Sequence, residues 1–283
     1  NGYGVKSAQM QKLLSEKGKE QLLKGLEIDA KSAYYKVLLA EKTLQLNEKN
    51  LKKAEEQLKV LEVKYENGSA TKLDLLQGQL AVNQAQTDLD NASDSLALEL
   101  LSFKNTVGLS FDKEIVLTEE IEYIKAEEIN LEESIAQAKE KRMEIIKAKE
   151  ELDLTQIKHD TYTSYYTKST RNYKKAVNEL SNAEYAITKA YRDVELDVRQ
   201  KYLELVKAER ALNNMDNTIE LSKEALRITS LFYNYGMTTA LEVLDTDTAL
   251  TKAEIGRYQL LVSYKIAKMM FDNACGIGMP ALR

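Results

Sequence analysis

The 283-residue sequence has no tryptophan, one proline (Pro280), one cysteine (Cys275) and one histidine (His159). With no proline before position 280, no missing backbone donor forces a helix to end along most of the chain. A single cysteine closes no intramolecular disulfide, and one cysteine with one histidine does not make a Cys/His zinc site. No run of about 18 apolar residues exists, so no transmembrane helix is expected. A net charge of −5 and a pI near 5.3 exclude a general nucleic-acid binder, which carries a basic face. The chain begins Asn1-Gly2-Tyr3-Gly4 with neither Met nor a secretory segment, which leaves its compartment open. What is abundant is Ala, Leu, Glu, Lys and Gln, with 30% charged and 43% hydrophobic residues, the composition of long amphipathic helices and coiled coils.

An internal repeat organises the chain. Residues 7–109 align without a gap onto residues 175–277. Identical pairs include Glu27/Glu195, Tyr34/Tyr202, Leu44/Leu212, Tyr65/Tyr233, Gly68/Gly236, Thr71/Thr239, Leu76/Leu244, Phe103/Phe271, Asn105/Asn273 and Gly108/Gly276. Sequence identity between the copies is low, but the turn glycines and the hydrophobic phase coincide throughout. Such self-similarity marks a duplicated structural unit.

Each copy reads as a helical hairpin. The first ascending arm carries Val37, Leu44, Leu51, Leu58 and Tyr65 at seven-residue spacing, with Ala40, Ala54 and Leu61 at the accompanying positions and Asn47 as the exception. The second arm repeats this with Leu205, Leu212, Ile219, Leu226 and Tyr233. The descending arm of the first copy shows Val82, Leu89, Leu96 and Phe103 with Ala85 and Ala92. These are coiled-coil seams in which small residues allow close approach. A further row, Leu73, Leu76 and Leu80, lies beside the first seam. A helix with two apolar seams needs neighbours on both sides.

Asn67-Gly68 is a turn dipeptide, and Gly236 holds the same place in the second copy. Thr71 with Asp74, and Thr239 with Glu242, fit the capping-box pattern that opens a new helix. Gly108 and Gly276 are expected to close the descending arms. The connecting segment, 110–174, is expected to hold one helix opening at Asn130 and running to about Lys158. Glu114–Leu117 and the Thr- and Tyr-rich stretch Thr161–Thr167 favour strand or loop. The expected architecture is therefore all-α, elongated, with a first hairpin over 7–109, the connecting segment over 110–174 and a second hairpin over 175–277.

The two tips resemble those of the TolC-type outer-membrane efflux protein family. The first reads Tyr65-Glu66-Asn67-Gly68-Ser69-Ala70-Thr71-Lys72-Leu73-Asp74, the second Tyr233-Asn234-Tyr235-Gly236-Met237-Thr238-Thr239-Ala240-Leu241-Glu242. The resemblance implies a homotrimer whose helices form a hollow α-barrel, a tunnel for exported small molecules or proteins. It implies that Tyr65, Asn67, Gly68, Ser69, Tyr233, Gly236 and Met237 belong to tips that dock a periplasmic membrane-fusion (adaptor) protein, itself coupled to a pump such as an ABC transporter. It also implies an acidic aperture at Glu242 and Asp245, with Asp247 alongside. The implied location is extracytoplasmic, in the periplasm and at the outer membrane, or at the surface of a cell that lacks one. One departure is plain: the family's membrane-spanning β-strands have no counterpart here, since 161–173 is too short for two strands of about 9–11 residues. Either the strands were removed or the chain is a barrel-less relative with no bilayer span of its own.

No Ser-His-Asp or Cys-His pairing, phosphate-cradling glycine loop or HExxH occurs, so no enzyme, cofactor or metal is expected. The contrasting reading is a structural coiled-coil spacer whose interior is filled with leucine and alanine.

Overall fold

A computed structural model describes residues 2–118, 121–123 and 129–279. Every regular element among them is a helix: α1 (Gly2–Glu66), α2 (Lys72–Val107), α3 (Leu131–Lys141), α4 (Met143–Tyr165), α5 (Arg171–Asn234) and α6 (Ala240–Cys275). The two hairpins are α1–α2 and α5–α6. The repeat is recorded in their packing, since Tyr34 meets Phe103 with ring centroids 6.0 Å apart and Tyr202 meets Phe271 at the same 6.0 Å. None of the helices is long and apolar enough to cross a membrane among the described residues, which bears on helices alone.

The chain divides into two compact units that do not coincide with the repeats. Unit 1 comprises Asn1–Ile28, Lys125–Val206 and Ala267–Arg283, and unit 2 comprises Asp29–Ile124 and Lys207–Ile266. Each hairpin therefore contributes to both.

In unit 2, α2 packs on α1, α1 on α6, and α6 on α5. Gly78 of α2 lies so close to α1 that a Cβ there would sit 2.8 Å from a Leu61 methyl, so the absent side chain sets the approach. Val37, Leu61, Ala85, Leu212, Ile219 and Leu261 are buried along these contacts, as the heptad phase requires. Asn47, the polar exception, is also buried, and its amide donates to the Thr43 carbonyl at 3.0 Å. The loop after α2 is fixed by Tyr123, whose ring lies 5.3 Å from that of Tyr264 and whose hydroxyl donates to Glu209 at 3.2 Å. Burial, and then the neighbouring Glu209 carboxylate, push the Tyr123 phenol up to about 12.

In unit 1, α3 and α4 pack against α5 and the end of α6 through Ile135, Ala138, Ile145, Val194, Val198 and Ala274. Two expectations for the connecting segment are corrected here. The single helix is two, broken at Arg142, whose backbone is extended (φ −66°, ψ 132°). That break lets the guanidinium reach inward. Second, Thr161–Tyr165 is the last turn of α4 rather than strand or loop. The hydroxyls of Thr161, Thr163 and Ser164 each donate to a carbonyl one turn back, at 2.7–2.8 Å, so these side chains are satisfied locally within the helix despite their strand propensity. Glu114–Leu117 is loop, not strand. Residues 119–120 and 124–128 of this segment lie outside the described residues.

Candidate functional site: the paired hairpin tips

Both tips are built by the same local chemistry. After α1, the Gly68 N–H donates to the Tyr65 carbonyl at 3.0 Å and the Ser69 N–H to Lys64 at 2.7 Å. After α5, Gly236 donates to Tyr233 at 3.0 Å and Met237 to Phe232 at 2.8 Å. These are Schellman closures, which need a left-handed residue; Gly68 and Gly236 both adopt φ +71°. Asn67 adds a side-chain bond to the Val63 carbonyl at 2.9 Å.

The helices that leave the tips are capped unequally. Thr71 and Asp74 form a complete capping box: the Asp74 N–H donates to Thr71 Oγ1 at 3.1 Å and the Thr71 N–H to Asp74 Oδ2 at 2.8 Å. The bonds from Thr71 hold the Asp74 carboxyl below the usual carboxylate range. In the second copy the Glu242 N–H donates to Thr239 Oγ1 at 3.3 Å, and no return bond from Glu242 occurs among the described residues.

The tip surface is aromatic and cationic. The Lys64 ammonium stands 3.9 Å over the Tyr233 ring, joining the ends of α1 and α5, and Lys72 stands 5.7 Å over Tyr65. Phe232, Tyr235 and Met237 are exposed beside them. The Tyr233 hydroxyl and Thr238 Oγ1 are both shut off from solvent without a hydrogen-bond partner among the described residues.

The three acidic residues beyond the second tip are not brought to one face. Glu242 and Asp245 are exposed at i,i+3 spacing and share a side of α6. Asp247 turns the other way: its carboxylate, only 14% exposed, is held by Lys53 of α1 at 2.6 Å. Asp247, expected alongside Glu242 and Asp245 at an acidic aperture, is thus engaged in an ion pair between the hairpins. Farther along, Asp216 of α5 binds Arg257 of α6. Lys53 had no signal in the sequence; it occupies an ordinary charged position of the heptad.

Arg142 also escaped sequence reasoning, hidden in the charged run Lys139-Glu140-Lys141-Arg142. It is 6% exposed, grips Glu144 with two bonds at 2.8 and 3.0 Å, and donates to Asp197 at 2.6 Å and to the Ala274 carbonyl at 3.2 Å. It pins the α3–α4 break, α5 and the end of α6 together, in unit 1. Neighbouring Cys275 is buried, which pushes its thiol up and leaves it a packing residue. His159 sits beside Asp160 near the end of α4, and no cluster of metal-ligating side chains occurs among the described residues.

Comparison with known proteins places this architecture. The outer membrane efflux protein family matches residues 4–109, the first hairpin repeat. No curated protein matches in sequence. Among solved structures, the crystallised CusC, described in connection with transmembrane channel formation, is similar with a TM-score of 0.78 at 14% identity, over 98% of this chain and 74% of that one. A membrane protein from Pseudomonas aeruginosa is similar with a TM-score of 0.77 at 16% identity, over 100% and 72%. The Neisseria gonorrhoeae MtrE outer membrane channel, in its open state, gives 0.71 at 14% identity, over 98% and 72%. Residues 4–109 thus match the outer membrane efflux protein family in sequence, and nearly the whole chain shares the fold of these solved channel proteins.

Proposed function

We propose that the chain is one protomer of a TolC-like efflux conduit, in which three copies close a hollow α-helical tunnel outside the cytoplasm. Small molecules or proteins pass through it, driven by a pump such as an ABC transporter that is reached through an adaptor protein at the hairpin tips. Exposed Tyr235 and Met237 and the orphaned Tyr233 and Thr238 hydroxyls support docking at that end, because buried polar atoms without partners are rare in finished structures. Exposed Glu242 and Asp245, repeated by symmetry, would favour cations at the mouth.

One observation carries the reading. Within unit 2 the outer helices of the series α2, α1, α6, α5 each keep an apolar row uncovered. On α2 this is Leu73, Leu76 and Leu80, the last 69% exposed; on α5 it is Leu221, Ile228 and Phe232, with Leu221 74% exposed. A solid four-helix bundle turns such rows inward. Here they lie along two different edges, the arrangement of a heterologous interface that closes a ring when the α2 edge of one copy meets the α5 edge of the next.

Light scattering and electron microscopy of the whole chain test this. Three copies around a water-filled lumen are expected, and Leu80→Glu together with Leu221→Glu should yield folded single chains. A native particle of one chain, or an oligomer filled along its axis in the manner of a structural spacer, overturns the proposal.

A further inference from the structure

The turn between α4 and α5 breaks a rule that the other internal helices keep. α2, α3, α4 and α6 each begin with an acidic residue in the first turn, where the helix dipole favours negative charge. The first turn of α5 has none and carries cations instead. Residues 161–175 read Thr-Tyr-Thr-Ser-Tyr-Tyr-Thr-Lys-Ser-Thr-Arg-Asn-Tyr-Lys-Lys: four cations, four tyrosines and no acid, in a chain whose net charge is −5. Lys168, Arg171 and Lys174 are exposed and form no ion pair among the described residues, while Lys175 reaches Glu179 only at 3.8 Å. Positive charge gathered at a helix start, without internal partners, opposes local stability, and such departures mark positions serving something else.

The aromatic part reaches the surface through Tyr165, with Tyr162, Tyr166 and Tyr173 partly buried. Tyr165 is 84% exposed; its ring meets Tyr166 edge-on at 5.3 Å, and Tyr166 meets Tyr162 at 5.6 Å. The polar demand of the turn is met internally: Thr170 Oγ1 accepts from the Tyr173 N–H at 3.4 Å and donates to the Thr167 carbonyl at 2.8 Å, and the hydroxyls of Thr161 and Ser164 bond back into α4. What the surface offers outward is therefore ammonium and guanidinium charge beside amphipathic rings. Tyr3 of α1, half exposed, is at the same end of unit 1, lining one cleft with Lys158 and Glu179.

We propose that this α4–α5 end is a docking surface for the anionic headgroups of a lipid leaflet. Tyrosine settles at the membrane interface because its ring is apolar and its hydroxyl polar, and clustered Lys and Arg are drawn to the surface potential of anionic lipid. A single-stranded nucleic acid is tracked along a charged groove; this patch is a single turn that gathers its charge and its rings between two helices. The contact is peripheral, involves no membrane-crossing segment of these residues, and is independent of the conduit reading above.

Vesicle flotation of the whole chain tests it. Binding is expected to vesicles containing phosphatidylglycerol, to be absent with phosphatidylcholine alone, and to weaken with added salt. Each removed cation should weaken partitioning by up to about fivefold, and K168Q/R171Q/K174Q/K175Q together by more than tenfold, with the helical circular dichroism unchanged. Because the chain has no tryptophan, Tyr165→Trp supplies a single indole fluorophore at the tip, expected to shift to the blue on binding and to be quenched by brominated lipid. Equal binding by the quadruple variant, equal binding to neutral vesicles, an indole left unquenched in the bound state, or competition by inorganic phosphate or a soluble anionic polysaccharide as effective as that of the vesicles overturns the proposal.

Discussion

The two hairpin copies share their turns and differ in how their ends are fastened. Gly68 and Gly236 have the same φ, the same pair of backbone bonds and the same flanking tyrosine. At the opposite ends the copies part. Gly108 closes α2 in the left-handed conformation at φ +72°, whereas its counterpart Gly276 is not left-handed, and the positive φ moves to Gly278 at +82°. Asn105 is exposed, while Asn273 is buried with its amide unpartnered among the described residues. The cause is Arg142. Its guanidinium binds Asp197 and the Ala274 carbonyl, both in the second copy, and a Cβ on Gly278 would lie 2.6 Å from its Nε. A duplicated sequence keeps its turn chemistry because that is local; the ends diverge because a third segment packs against only one of them.

Removing Arg142 should therefore break the asymmetry with the largest effect. Arg142→Met strips Asp197 and the Ala274 carbonyl of a partner that is almost wholly buried. Loss of one partner of a buried pair costs about 3–5 kcal/mol, and the low end applies because Asp197 and Glu144 are themselves a third or more exposed. Chemical denaturation should show that loss, with amide exchange rising first over 271–279. A matching rise over 103–109, in the first copy, would show that the lock is shared and not particular to the second.

Much of this was legible in the sequence, and the limits are physical. Heptad leucines and turn glycines act locally or at fixed spacing, so Val37, Leu212, Gly68 and Gly236 announced the hairpins directly. The row Leu73, Leu76 and Leu80, read as a second seam, is exposed on α2. The run 161–165 misled because β-branched and aromatic residues lower helix preference, yet each hydroxyl found a carbonyl one turn back. Lys53 and Arg142 were illegible, since a charged residue in a charged helix says nothing of which helix stands opposite. The ion pair of Asp247 with Lys53 was invisible for the same reason.

The tips give the next contrast. Gly68→Ala and Gly236→Ala place a Cβ on a residue at φ +71°, at about 1–2 kcal/mol each. Because the two geometries coincide and neither site has an atom within 4 Å of the added Cβ, equal costs are expected, read as equal shifts in amide exchange at 66–71 and 234–239. Unequal costs would mean that one tip is held by something besides its turn.

The smallest effects separate the caps. Thr71→Ala removes the hydroxyl that accepts from the Asp74 N–H and donates to the Asp74 carboxylate, leaving only the bond from the N–H of residue 71, and should cost about 1 kcal/mol, whereas Thr239→Ala removes one bond of 3.3 Å and should cost about half of that. Acid resolves them further. The folded Asp74 carboxyl titrates below its ordinary value of 3.8, held down first by the Thr71 hydroxyl and then by the Thr71 N–H. A group depressed in the folded state contributes stability that is fully present above its unfolded value and is lost as pH falls through the folded one. Amide exchange at 71–75 should therefore keep its protection from neutral pH down to about 4 and lose it below, once exchange chemistry is corrected for pH. In Asp74→Asn the step should vanish, because no carboxylate remains to titrate. At the second tip the Thr239 hydroxyl accepts from a backbone N–H, a bond that acid does not remove. Loss of protection at 239–243 with the same pH profile as at 71–75 would mean that both tips rest on a carboxylate after all.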